Sequence, residues 1–470
     1  MWDVSPILHA GTQCGDRTNQ VALRYGSGVK HAEMIRQHNP LHSEPARNAK
    51  APQCGACRRL GDGSPLRLLS RKAFTIPGTL IEYTVHSSGE RRAMNGTTDA
   101  RMPAGRRIEY LDAMRGLAAV YVVLFHLIFV GSVPVPGWFK GFAVEGASGV
   151  MLFFVISCFS LLYTMPARLK ESSPTISFYL HRLFRIVPLF YLWLILSCIR
   201  NPVLHGIHNT PMEIANNFLM IFNLIPGQQS GIAMASWTIG VEVLFYAIFP
   251  LIYFSVRNLS HATIFIVTSF AAYLGMLVVI DHLPLSASDV GQYKFWLFTK
   301  DIPVFAFGAI CYFIIFSERF QGIQPKKLAG SVLIASCALI FVMRSNGIIT
   351  DKLFAGNPYM WHGLAYALLL LGIALFPIKV IVNRATSFLG KISYSIYLSH
   401  GTVILLSKPI YQWIGQFIKN DTAFYFSCLG ITILMVLPLS YATYKLVEEP
   451  FIRFGKKAHN KLMSPAAAQA

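Results

Sequence analysis

Arg107-Ile-Glu-Tyr-Leu-Asp-Ala-Met-Arg-Gly-Leu-Ala-Ala-Val-Tyr-Val-Val-Leu-Phe-His126 is the stretch that decides the fold. It opens a membrane-spanning helix and carries Asp112, Arg115 and His126 into it. Ionisable groups inside a span are costly, so they are usually kept for function. Arg115 and His126 stand eleven residues apart, close to three helical turns, and therefore share one face. Asp112 lies one turn before Arg115 on that face. A single helix thus presents an acid, a permanent cation and a titratable base along one stripe.

The rest of the chain agrees with a membrane reading. Of its 470 residues 54% are hydrophobic and only 13% charged, and the mean hydropathy is +0.47. A soluble protein carries about twice that charged fraction. The expected fold is all-α: a polytopic membrane protein of about ten transmembrane helices, each needing roughly 20 apolar residues. The expected span cores are 112–131, 147–164, 185–201, 237–256, 262–280, 295–316, 328–344, 359–378, 386–407 and 423–446.

The net charge of +19 would suggest nucleic acid in a soluble protein. In this chain it reads as basic loops set against anionic lipid, so membrane lipid is the expected partner and nucleic acid is not. Cys158, Cys198, Cys311, Cys337 and Cys428 lie in apolar runs and read as small core residues. Cys54 and Cys57 form one isolated Cys-x-x-Cys without the second pair a zinc site needs. His205, His208 and Glu213 show no ligand spacing, so no metal is expected.

Residues 1–105 are of another character: polar, without sustained periodicity, and expected to be disordered. They are either a cytoplasmic extension or an over-long gene start, the true first residue then being Met94 or Met102; the second is favoured, because the membrane pattern begins immediately afterwards. The membrane domain is expected over 106–455, followed by a short basic tail, 456–470.

Loop charge sets the orientation. Arg106 and Arg107, Arg168 to Arg185, Arg319 to Lys327, Lys379 to Lys391 and Arg453 to Lys461 all fall on one side if there are ten spans. By the positive-inside rule both termini are then cytoplasmic. On that topology Arg115, Arg182 and Arg185 form a cationic cytoplasmic entrance suited to phosphate groups. His126, Glu242 and His400 reach similar depths in the outer half, a cluster suited to proton transfer. Each has a plainer alternative. The arginines can be positive-inside anchors, the histidines can hydrogen-bond between helices, and Glu242 can pair with Lys300 or an arginine. Asp112 is expected to pair with Arg115 or another arginine, and aromatic runs such as Phe245-Tyr246 read as packing surface.

Five ordered segments resemble the acyltransferase-3 family of integral-membrane O-acyltransferases. They are Tyr110-Leu-Asp-Ala-Met-Arg115-Gly with His126, Gly149-Val-Met-Leu-Phe-Phe-Val-Ile-Ser157, Phe178-Tyr-Leu-His-Arg182-Leu-Phe-Arg185-Ile-Val-Pro188, Ser236-Trp-Thr-Ile-Gly-Val-Glu242-Val-Leu-Phe-Tyr246, and Gly390-Lys-Ile-Ser-Tyr-Ser-Ile-Tyr-Leu-Ser-His400. Val447-Glu-Glu-Pro450 also fits. The resemblance implies transfer of an acyl group, most often acetyl, from acyl-coenzyme A to a carbohydrate hydroxyl. Coenzyme A would be a co-substrate carrier, with no permanently bound cofactor, and the acceptor an exopolysaccharide, a lipopolysaccharide precursor or another lipid-linked glycan. It implies an essential role for His126 and for Arg115, Arg182 and Arg185; beside it, the residues themselves suggest Glu242 as a second catalytic group and Asp112 and His400 as substrate or structural support. It implies a bacterial-type inner membrane, and a stand-alone form without the fused hydrolase-like domain of some members. Cys158 departs from the family's usual Gly, and Thr238 and Val243 depart around Glu242. A multi-pass transporter or flippase is the competing reading, although no internal repeat of the kind transporters show is visible. A non-catalytic sensor or assembly subunit is a third reading, against which the intact His126 and arginines argue.

Overall fold

The computed structural model describes residues 108–462 and, before them, the backbone of 71–76 and 79–84. The chain divides into two units, Met1–Met94 and Asn95–Ala470. In the first, Arg71–Ile76 (β1) pairs antiparallel with Thr79–Thr84 (β2). The rest of the segment expected to be disordered lies outside the described residues, as do Cys54 and Cys57.

The second unit is all-α. Its helices are α1 Glu109–Phe129, α2 Gly137–Val144, α3 Gly149–Arg168, α4 Pro174–His205, α5 Pro211–Phe218, α6 Trp237–Ser255, α7 Leu259–Asp281, α8 Ala287–Phe295 and α9 Phe298–Ile315. There follow α10 Glu318–Gln321, α11 Lys326–Ser345, α12 Tyr359–Leu375, α13 Arg384–Lys391, α14 Ser393–Leu406, α15 Lys408–Phe417, α16 Asp421–Thr443 and α17 Glu449–Leu462. Each of the ten expected segments is helical. Among the described residues, eight helical segments are long and apolar enough to cross a membrane. The other two depart for separate reasons. Helix α12 has 17 residues, about 25 Å at 1.5 Å per residue. The ninth segment is broken at Ile392 into α13 and α14, eight and 14 residues long.

Lipid tails are as apolar as Leu, so burial from water does not drive helices together here; close packing and polar contacts do. Helices α1, α3 and α9 form the centre, flanked by α12, α13 and α14, while α7, α11 and α16 show most of their surface outward. The α1–α13 crossing is the tightest. A Cβ at Gly390 would fall 1.8 Å from the Asp112 carbonyl oxygen, and one at Gly116 2.4 Å from that of Thr386. Only residues without a Cβ let these backbones meet. The α3–α9 crossing absorbs Cys158, where the family pattern has Gly. Cys158 is fully buried, and the missing side chain is on the facing helix: a Cβ at Gly308 would lie 3.0 Å from that of Cys158.

The chain is fixed locally by ordinary devices. Asn383 and Thr386 form a capping box on α13, and Thr210 and Glu213 another on α5. Glu213, weighed above as a metal ligand, thus has a capping role. After α16 the backbone makes a π-helical turn, Tyr444–Glu448, which turns Glu448 into the interior. Such turns are frequent near functional sites.

Gly390→Ala is expected to destabilise the bundle by about 1–3 kcal/mol or more, as overpacking does. Gly275→Ala on α7, where a Cβ meets nothing within 4 Å, serves as control. Melting of the detergent-solubilised variants checks this; equal melting temperatures would contradict the close crossing.

Candidate active site

A cleft with a cavity volume of about 60 Å³ lies between α1, α3, α4, α6 and α14, with Arg115, Arg185, Glu242 and Tyr246 at its charged part. Arg182 and Arg185 are one turn apart on α4, so both face α6 and α1. The Arg182 guanidinium sits over the Tyr246 ring at 5.3 Å and over Phe178 at 6.0 Å. Arg115 donates to Ser160 Oγ at 3.4 Å, and Arg168 to Ser177 Oγ at 3.2 Å. Acids balance the cations. Glu242 accepts from Ser157 Oγ at 2.9 Å and from the Tyr246 hydroxyl. Glu448 accepts from Ser395 Oγ at 2.9 Å. Arg185 feels Glu242, Glu448 and Asp112 together, and Arg115 feels Asp112 and Glu242.

Away from the arginines the cleft changes character. Its lining there includes Val150, Phe153, Thr238 and Tyr397. Thr238 bonds the Tyr397 hydroxyl at 2.9 Å. Tyr397 in turn leads to a histidine pair. Its carbonyl lies 2.6 Å from His400 Nδ1, and His400 Nε2 lies 3.2 Å from His126 Nδ1. The rings of His126 and His400 meet edge to face, 4.8 Å apart.

These partners fix the tautomers. A carbonyl can only accept, so His400 Nδ1, facing Tyr397, carries the proton and His400 Nε2 is an acceptor. His126 Nδ1 faces the Val122 carbonyl at 2.9 Å as well as His400 Nε2, and so also carries its proton. The Nε2 of neutral His126 is then a lone-pair acceptor, held in place by two contacts on the opposite nitrogen. A histidine prepared in this way can take a proton from a hydroxyl.

The structure therefore brings His126 and His400 together, and Arg115, Arg182 and Arg185 together, as the spacing suggested. It separates Glu242 from the histidines. The level along α6 was misread: Glu242 lies with Ser157, Tyr246 and the three arginines, at the Arg115 end of α1 rather than three turns further on at His126. Lys300 is not its partner: Lys300 is buried, bonds the Phe295 carbonyl and lies over the Tyr359 ring at 4.5 Å. Sequence reasoning missed Tyr246, taken as packing surface, and Tyr397, Thr238 and Tyr394. Tyr394 bonds the Ile186 carbonyl beside Arg185 at 2.8 Å. A signal was available: Tyr394, Tyr397 and His400 recur every third residue, a polar stripe on an apolar helix.

A family model described as an acyltransferase domain, acyltransferase-3, matches residues 108–441. An O-acetyltransferase OatA of Staphylococcus aureus is 24% identical over 389 residues, covering 76% of this chain and 59% of that protein. A peptidoglycan O-acetyltransferase OatA of Listeria monocytogenes is 22% identical over 336 residues, covering 64% and 50%. The chain thus spans between half and three-fifths of the length of these relatives. No solved structure matches it.

In ¹⁵N-histidine spectra of the protein in lipid, His126 is expected to show a protonated Nδ1 and a bare Nε2 at neutral pH. His400→Phe should shift the His126 Nδ1 resonance, because it removes one of that proton's two acceptors and leaves the Val122 carbonyl. A protonated Nε2 in neutral His126 would contradict the assignment.

Proposed function

This chain belongs to the acyltransferase-3 family and is an acyltransferase of the membrane, and from that premise we propose that it moves an acetyl group from acetyl-coenzyme A to a carbohydrate hydroxyl. The observation that carries the proposal is the tautomer of His126, which leaves Nε2 free to act as a base. The relatives' names support an acetyl group, and one of them a glycan acceptor.

The roles follow from the two ends of the site. Arg115, Arg182 and Arg185 receive the donor's phosphates; like charges gathered in a low-dielectric setting repel, and an anion relieves that cost. Glu242, Glu448 and Asp112 keep the cluster folded while no donor is bound. The pantetheine arm follows the cleft past Thr238 and Tyr397 toward the histidines. His126 Nε2 removes the acceptor's hydroxyl proton as its oxygen attacks the thioester carbonyl. The tetrahedral intermediate collapses, the C–S bond breaks, and the proton on His126 passes to the departing thiolate. The protein ends as it began, with the acyl group on the sugar and free coenzyme A released. His400 holds the His126 ring for this.

The arginine end faces the cytoplasm, where acyl-coenzyme A is made, and both termini lie on that side, as the basic loops require. The membrane domain is 106–455, and the acceptor is a lipid-linked or surface glycan of a bacterial-type inner membrane.

Transfer of radiolabel from acetyl-coenzyme A into base-labile glycan of membranes is the test. His126→Ala, normally inserted, is expected to lose about 10²–10⁴-fold of the rate. Arg185→Lys keeps the charge but loses the planar fork, and should raise KM for the donor with a smaller effect on kcat. Protein-dependent accumulation of substrate in vesicles without labelling would overturn the proposal in favour of transport.

A further inference from the structure

At the end of the cleft away from the arginines the lining includes Phe153, Thr238 and Tyr397, and their mutual contacts hold them in place. Phe153 meets the Tyr397 ring edge-on at 5.8 Å and 74°. The Tyr397 hydroxyl is pinned by Thr238. Behind them Phe154 stacks on Phe305 at 4.5 Å, and Phe305 on Phe245 at 3.8 Å. These last three rings are at most 2% exposed, so this wall has no room to retreat. The next feature beyond Tyr397 is the histidine pair, the His400 ring lying 5.6 Å from that of Tyr397.

We propose that Phe153, Thr238 and Tyr397 form an acyl-size filter that restricts the donor to short acyl groups, acetyl above all. This rests on the donor reading given above and adds the residues that select the acyl group. The cleft runs from Arg115 and Arg185 to these side chains, and its lining residue Tyr397 touches the His400 ring, so a group handed on toward His126 lies against them. Phe153 and Tyr397 are braced by each other, Tyr397 by its hydroxyl contact, and the wall behind by stacked rings. A longer chain must displace one of them, and a close-packed interior resists added methylenes. One methylene in such a pocket is worth about 10–200-fold in discrimination. Phe153 is the member whose truncation opens space without removing a hydrogen bond. Thr238 is the member whose change frees the Tyr397 ring without changing bulk.

The test uses the full chain in lipid nanodiscs and non-transferable thioether analogues of acetyl- and butyryl-coenzyme A, with coenzyme A itself as the reference ligand. Affinities are read as the acetyl-to-butyryl ratio. The native protein is expected to favour the acetyl analogue by at least about 10-fold. Phe153→Ala should bring the ratio near one, chiefly by raising butyryl affinity, with Phe153→Leu and Thr238→Val moving it in the same direction. A native ratio near one, or a ratio unchanged in these variants when they melt as the native protein does, would overturn the filter. If coenzyme A itself fails to bind the native protein, the donor reading falls and the filter with it. Binding of coenzyme A without acyl discrimination removes the filter alone.

Discussion

Charge cannot be left alone in a hydrocarbon setting, and the bundle is arranged around that constraint. Three arginines from two helices cluster together, two of them in the cleft, and carboxylates from α1, α6 and the π-helical turn after α16 meet them. Removing one member of a buried ionic group leaves an uncompensated charge, commonly a loss of about 3–5 kcal/mol. The helices bearing these groups are therefore tied to one another more tightly than apolar packing among lipid-like side chains would tie them. The peripheral helices α7 and α11 contribute little to this network and show most of their surface to the outside.

The same constraint divides the labour of the site. At the charged end the acids hold the arginines in position. The histidine end contains no fixed charge, and its two rings are neutral by the logic of their partners. Tyr397 touches both ends: its hydroxyl faces the cleft through Thr238, and its carbonyl orients His400. On the proposal made above, the two ends would serve as base and phosphate-binding surface.

Much of this was legible in the sequence because it is periodic. The all-α class, the ten helical segments and the meeting of His126 with His400 follow from counting along helices at 1.5 Å per residue. What counting along each helix cannot supply is how far neighbouring helices slide past one another. Glu242 was expected level with His126 and lies instead level with Arg115, beside Ser157 of α3. The break at Ile392 carried no proline to announce it; it lies beside Gly390, where α1 comes so close that no Cβ fits. Tyr246 was missed because aromatic residues in a span are ordinarily packing, although its hydroxyl bonds Glu242 one turn earlier on the same helix, a spacing open to sequence reading. Cys158 looked like a defect in one helix and is accommodated by Gly308 on another.

An experimental structure with a thioether analogue of acetyl-coenzyme A tests the central claim most directly. The account predicts phosphates on Arg182 and Arg185, the arm running past Thr238 and Tyr397, and the acyl carbon nearest His126 Nε2. Phosphates bound elsewhere, or an arm that leaves the cleft before Tyr397, would contradict it.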